Sequence, residues 1–231
     1  MDNRELLTAF CEASGAPGYE TDRAELVTRE FSPYCKDVRR DNLGSVIGFR
    51  QGGGQGRIML CAHMDEISLM VSAIDKEGFL GLSALGFFDA RMLYAQEVTV
   101  HGREKVFGVI GAPPPVVSHE APTPLKPGDK REAPKLDALF VDTGFRVEKV
   151  HELVRIGDIV TINRKTTGLL NDRLAGKALD DSAGLVSLVI ALRLLRDIRL
   201  DADLYLVASS QEEVGSRGAL TAAYYNGAID L

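Results

Sequence analysis

Between Ile67 and Ile162 the chain changes texture. The runs "EVTVHG", "VFGVIG", "ALFVDTG" and "DIVTIN" are short, rich in β-branched residues, and separated by Gly, Pro and charge clusters. No long amphipathic helix stands out among them, and "GAPPPVVSHEAPTPLKPGD" carries too many prolines for a strand or a helix. Such a stretch folds as a small β unit, a barrel or a sandwich. The flanks read differently. Helical texture covers Arg4 to Ala13 and roughly Thr21 to Phe31, ended by "SGAPG" and "SPY", before strand-like pieces at Lys36 to Arg39 and "SVIGFR". Helical texture returns at Ala183, where Leu185, Leu188, Val189, Leu192 and Leu195 make a stripe for burial. "DADLYLVASS" is then an apolar strand, and "GALTAAYYN" begins another helix. Two α/β pieces, 1–66 and 164–231, therefore flank a β insertion at 67–163, and the two pieces are expected to share one sheet.

Two strand signals sharpen that expectation. "RIMLCA" is a continuous apolar run, the pattern of a strand buried on both faces. The glycines of "QGGGQG" just before it invite a phosphate-loop reading, but no Gly-Lys-Ser/Thr follows and a strand rather than a helix comes next. A flexible hairpin turn between "SVIGFR" and "RIMLCA" is the expectation.

Charge and cysteine usage narrow the function classes. A net charge of −6 and a pI near 5.3 argue against a general nucleic-acid binder. Cys11, Cys35 and Cys61 are widely spaced, odd in number and without a C-x-x-C pair, which fits a reducing cytoplasm better than a disulfide framework. "MDNRELLTAF" has no apolar signal core, and the apolar stretch Leu185 to Leu195 is broken by Arg193 and too short for a bilayer. The expectation is a cytoplasmic protein that engages neither nucleic acid nor membrane.

Chemistry-bearing residues collect where strands end. "CAHMDEIS" offers His63 and Asp65: imidazole is a common ligand of zinc and its neighbours, and a nearby carboxylate commonly holds the other ring nitrogen. An exposed histidine after a strand is the plain alternative. "GKALDDSAG" offers Asp180 and Asp181 before a helix, where an aspartate can cap the helix, bridge two metals, or do both. "SSQEEVGSRGA" offers Glu212 and Glu213, readable as a solvated acidic loop or as a metal ligand beside a general base. Sites in sheets of this type form beyond the carboxyl ends of the strands, where His63, Glu212 and Glu213 all fall. His119 lines a site only if its proline-rich loop folds over one, and His101 and His151 read as surface residues.

Taken in order, "SGAPGYE", "AHMDEIS", "GKALDD-x-AG" and "QEEVGSRGA" resemble the co-catalytic metallo-aminopeptidases that form tetrahedral (TET) particles, the group of the glutamyl and deblocking aminopeptidases. "GVIGAPPPVVSHE" and "LFVDTG" are similar to that family's characteristic loop and strand, and the likeness covers nearly the whole chain. The resemblance implies a mixed-sheet α/β catalytic domain, phosphorylase/hydrolase-like, interrupted by a small β-barrel or sandwich that serves dimerisation. It implies removal of N-terminal residues from peptides. It implies two divalent ions per subunit, with zinc, cobalt or manganese suited to histidine and carboxylate ligands. It also implies a homo-oligomer whose dimers build a dodecameric particle.

Carried over by position, the resemblance makes His63 a ligand of one metal, Asp65 the residue that orients it, Asp180 the bridging carboxylate, Glu213 a ligand of the other metal, and Glu212 the general base. There are departures. Ser182 stands where the family usually has arginine, and the family pattern calls for an aspartate just beyond Leu231 and a later histidine. On the sequence as it stands, the resemblance implies weak metal binding and little or no peptidase activity. Two other readings compete. A β-glucan glycosidase would leave His63 and Asp65 without a role, and 6% aromatics with no Trp are poor for sugar stacking. A non-catalytic assembly subunit would keep the dimerisation domain and lack a working site.

Overall fold

The computed structural model describes residues 1–112 and 135–225; His119 and most of the proline-rich loop lie outside the described residues. The chain forms two compact units, Met1–Ser68 with Arg164–Leu231, and Leu69–Asn163.

The first unit begins with α1 (Asn3–Glu12) and α2 (Thr21–Phe31). A capping box opens α1: the Asp2 carboxylate accepts the Glu5 N–H at 2.8 Å, and the Glu5 carboxylate accepts the Asp2 N–H at 3.0 Å. Strands β1 (Asp37–Arg40), β2 (Val46–Arg50) and β3 (Gly56–His63) follow.

The second unit contains β4 (Ser68–Ile74), β5 (Leu80–Leu85), β6 (Glu97–His101), β7 (Lys105–Gly111), β8 (Phe140–Asp142), the short helix α3 (Val147–Leu153) and β9 (Ile159–Ile162). Its strands close into a barrel in the order β4-β5-β8-β7-β6-β9, which decides between barrel and sandwich. In β7 alternation does the sorting: Val106 and Ile110 are buried, while Phe107 and Val109 are exposed. His101 departs from the surface reading, because its Nε2 lies 2.8 Å from the Thr161 hydroxyl of β9. His151 is exposed on α3.

The chain then returns to the first unit through the hairpin β10 (Thr167–Leu169) and β11 (Arg173–Ala175), then α4 (Leu179–Leu194), β12 (Ala202–Ser209) and α5 (Arg217–Tyr225). The sheet runs β1-β2-β12-β3, so strands from both ends of the chain do share it. β12 is antiparallel to β2 and parallel to β3. Leu204, Leu206 and Ala208 of β12 join the core made with α1, α2 and α4, while Val207 packs on the other face with Ile47 and Ala222.

That strand order corrects two expectations. The glycine run is not a hairpin turn, because β12 lies between β2 and β3 and the loop must cross its entrance. Gly53 N–H donates to the Leu200 carbonyl at 2.8 Å and Gly52 N–H to the Asp203 carboxylate at 2.8 Å. A Cβ at Gly52 would overlap the main chain of Ala202, and one at Gly54 the main chain of Asp201. The glycines are there for close backbone approach. β3, in turn, is not buried on both faces. It ends the four-stranded sheet with β12 as its neighbour there, and Ile58, Leu60 and Cys61 are exposed. Of the three β3 residues that pair with core positions of β12, Ile58, Leu60 and Ala62, just Ala62 is buried.

Candidate metal centre

The parallel pairing of β3 with β12 builds the site. Their register sets His63 opposite Ser209, so both strands end together, and the Met64 N–H donates to the Ser209 carbonyl at 2.7 Å. The segments that leave the two strands, Asp65–Glu66 and Gln211–Glu213, thus begin side by side. Asp65 is fully buried, and its two carboxylate oxygens accept the backbone N–H groups of Glu212 and Glu213, each at 2.9 Å. Main-chain bonds of this kind settle where two adjacent glutamates start without using up their carboxylates.

His63 faces this loop. Its Nδ1 lies 3.0 Å from the Asp65 carbonyl oxygen and 3.7 Å from the Asp65 carboxylate, so the hydrogen bond is to the main chain. Its Nε2 lies 3.0 Å from Asp180 Oδ1 and 3.9 Å from Glu212 Oε2. Ligand atoms of His63, Glu212 and Glu213 all lie within 4.8 Å of one another. The imidazole is nine-tenths buried, whereas the Asp180 side chain is 90% exposed.

The aspartate pair before α4 divides its work. Asp180 and Asp181 have non-helical backbone angles, so the regular helix starts after them. Asp181 Oδ1 accepts the Gly184 N–H at 2.9 Å, which is an N-cap bond. Asp180 is left to face the imidazole.

Electrostatics follow from this crowding. Burial works against charge on His63, but the hydrogen bond to Asp180 and the proximity of Asp65 outweigh it and raise the imidazole above its ordinary pKa. Burial pushes the Glu213 carboxyl up; His63 opposes this, and the neighbouring carboxylates Asp65, Glu212 and Asp180 add to it. One imidazole nitrogen and three carboxylates in one small volume call for positive charge, and the donor set is the nitrogen-and-oxygen mixture that zinc and its neighbours accept. The residues present therefore fit a divalent ion.

Four residues around the site were not singled out from the sequence. Glu20, 3% exposed, accepts the Gly18 N–H at 2.8 Å and the Gln211 N–H at 3.0 Å through one oxygen. Burial pushes its carboxyl up, against those N–H groups. Arg23 of α2 is fully buried and donates to the carbonyls of Ala13 at 3.1 Å and Met64 at 2.9 Å. Lys177 Nζ lies 2.7 Å from each oxygen of the buried Glu66 carboxylate, and burial pulls its ammonium down while Glu66 opposes the shift. The sequence did carry a signal for Arg23. It stands at i, i+4 and i+8 with Val27 and Phe31, on the helix stripe that faces the core.

A mixed sheet that brings an imidazole and two carboxylates together at its strand ends, with Asp180 from the start of α4 facing the imidazole, defines an α/β protein whose donor set fits a metal. The chain belongs to the M42 glutamyl aminopeptidase family, whose sequence model matches residues 44–229. The lysyl aminopeptidase of Pyrococcus furiosus is 34% identical over 230 residues, 97% of this chain and 63% of that protein. An aminopeptidase from the archaeon Desulfurococcus kamchatkensis superposes with a TM-score of 0.88 at 36% identity, over 97% of this chain and 60% of that one. The Pyrococcus horikoshii TET1 peptidase, which can assemble into a tetrahedron or a large octahedral shell, superposes with a TM-score of 0.82 at 32% identity, over 96% and 65%. The chain thus spans between 60% and 65% of the length of these relatives.

Proposed function

We propose that the protein is a metal-dependent aminopeptidase that removes N-terminal residues from peptides. It works with two divalent ions, zinc, cobalt or manganese, held in part by His63, Asp180 and Glu213. Glu212 is the general base. The observation that carries this reading is the meeting of His63, Asp180, Glu212 and Glu213 at the paired ends of β3 and β12. A divalent ion held there by these residues would polarise the scissile carbonyl and lower the pKa of water toward neutrality.

The chain's own residues do the rest. The Asp65 carbonyl engages Nδ1 of His63, which directs Nε2 into the site. The Asp65 carboxylate anchors the main chain of both glutamates. Ser216 donates its hydroxyl to Glu212 Oε1 at 2.9 Å, leaving Oε2, the oxygen that faces His63, to take a proton and pass it to the leaving amine. Both glutamates come within reach of the imidazole, so their division into ligand and base rests on the family pattern together with the Ser216 contact. The barrel unit serves dimerisation, and dimers build a larger homo-oligomer of the kind reported for the TET1 peptidase. Three free cysteines fit a cytoplasmic setting, and among the described residues no helix is long and apolar enough to cross a membrane.

The test is metal content together with turnover of a panel of aminoacyl-nitroanilides, for the wild type and Glu212→Gln. Weak binding of two ions per chain, low but chelator-sensitive turnover, and loss of that turnover with metal retained in the variant are expected. Chelator-resistant cleavage of a β-glucan would replace this reading with a glycosidase. A chain that holds no metal and turns nothing over would count against a working site in these residues, and absence of metal even at saturating concentration would favour the assembly-subunit reading.

A further inference from the structure

Three consecutive main-chain N–H groups are held by buried carboxylates where β12 gives way to the glutamate pair. Glu20 takes that of Gln211 at 3.0 Å, and Asp65 takes those of Glu212 and Glu213 at 2.9 Å. Gln211 is also the residue at which the chain turns out of the strand, with a left-handed φ of 56°. A non-glycine residue in that region is held there by its surroundings. The tie comes from far away in sequence: Glu20 ends the loop after α1, and the same oxygen accepts the Gly18 N–H at 2.8 Å, which fixes the carboxylate before it reaches Gln211. Downstream, the Gly215 and Ser216 N–H groups donate to the Glu212 carbonyl at 2.8 and 2.9 Å, which closes a turn on the glutamate pair.

We infer that Glu20 is a positioning residue for the metal centre: by holding the Gln211 N–H it locks the left-handed turn that aims the carboxylates of Glu212 and Glu213 at His63. Asp65 holds two adjacent N–H groups and the Gly218 N–H closes the far end of the loop on the Ser210 carbonyl at 3.0 Å, while Glu20 holds the N–H at the turn itself. The role bears on catalysis only if His63, Asp180, Glu212 and Glu213 form the metal site proposed above. What Glu20 contributes is an acceptor oxygen at a set place, so Gln can stand in for it. Asp, one methylene shorter, cannot reach.

The experiment compares wild type, Glu20→Gln, Glu20→Ala and Glu20→Asp by two readouts on the full chain: amide hydrogen exchange of the segment 209–215, and the zinc dissociation constant by calorimetry. In the Ala and Asp variants we expect faster exchange confined to that segment and zinc binding weakened about tenfold, the size typical of losing a group that orients ligands. Glu20→Gln is expected to keep both near wild type. A purely structural role would lower the melting temperature without the segment-specific exchange and without rescue by Gln. Unchanged exchange in Ala and Asp, or a Gln variant that behaves like Ala, overturns the role of Glu20. If the Ala variant does not fold, the Asp and Gln variants decide alone. A wild type that binds no zinc counts against the metal site itself, and the exchange readout still rules on Glu20.

Discussion

The Asp65 carboxylate accepts the backbone N–H of Glu212 through one oxygen at 2.9 Å, and through the other it takes the next N–H along. A fully buried carboxylate thus spends both oxygens on main chain, and the histidine two residues before it hydrogen bonds instead to the Asp65 carbonyl. Asp65→Asn should break half of this arrangement, because the new amide can offer an oxygen to one N–H but must point its NH2 group at the other. A stranded buried donor costs about 1–3 kcal/mol. We expect a loss of that size in urea unfolding of the metal-free protein.

Lys177 pairs with the buried Glu66, and Arg23 Nη2 lies 3.6 Å from the same Glu66 Oε1. Removing Lys177 leaves Glu66 with only the longer Arg23 contact. We expect Lys177→Met to destabilise, by less than the about 3–5 kcal/mol of a wholly unpaired buried charge, and the double variant Lys177→Met with Glu66→Gln to recover part of it. A double-mutant cycle in chemical denaturant checks this, and simple additivity would contradict it.

The glycine crossing makes a graded expectation. Gly52→Ala and Gly54→Ala each drive a methyl into main chain, whereas at Gly53 a Cβ meets the Arg199 side chain at 3.2 Å, a group that can move aside. Overpacking of this kind costs about 1–3 kcal/mol. We expect losses in that range at Gly52 and Gly54 and a smaller change at Gly53, read as shifts in denaturation midpoint. Equal effects at all three positions would argue against the crossing.

Acid should loosen the joint between α1 and the segment before β10. Glu12 accepts Lys165 Nζ at 2.7 Å and the Thr166 N–H at 3.0 Å, and these bonds hold its carboxyl below the usual 4.5 in the folded chain. A depressed folded pKa gives stability that is fully present above the unfolded value and fades as pH falls through the folded one. The wild type should therefore exceed Glu12→Gln in denaturation midpoint at pH 6, and the gap should close as the pH falls below about 4.5 and through the depressed folded pKa. A gap that widens on acidification would show the sign to be wrong.

Much of the architecture was legible in local pattern. The helical texture of α1 and α2, the apolar stripe of α4, the short strands of the insertion, and the strand-end placement of His63, Glu212 and Glu213 all follow from patterns that neighbours in sequence carry. The aspartate pair shows the limit of such reading. A cap and a ligand were both available to "DD", and only folded geometry assigns Asp181 to the Gly184 N–H and leaves Asp180 facing His63.

What the sequence by itself determined, then, is which segments are helix or strand and which residue types stand at their ends, because those depend on periods of two and 3.6 residues. Tertiary structure alone decided that β12 inserts between β2 and β3, and with it the crossing role of the glycines, the exposure of β3, and the meeting of His63 with the glutamate pair. It also decided that Arg23, Glu20 and Glu66 are buried close around the site, with the half-buried Lys177 paired to Glu66. Strand order and register are contacts between residues far apart in the chain. No local period encodes them, and they are chosen by which arrangement buries the apolar faces and satisfies the backbone at once.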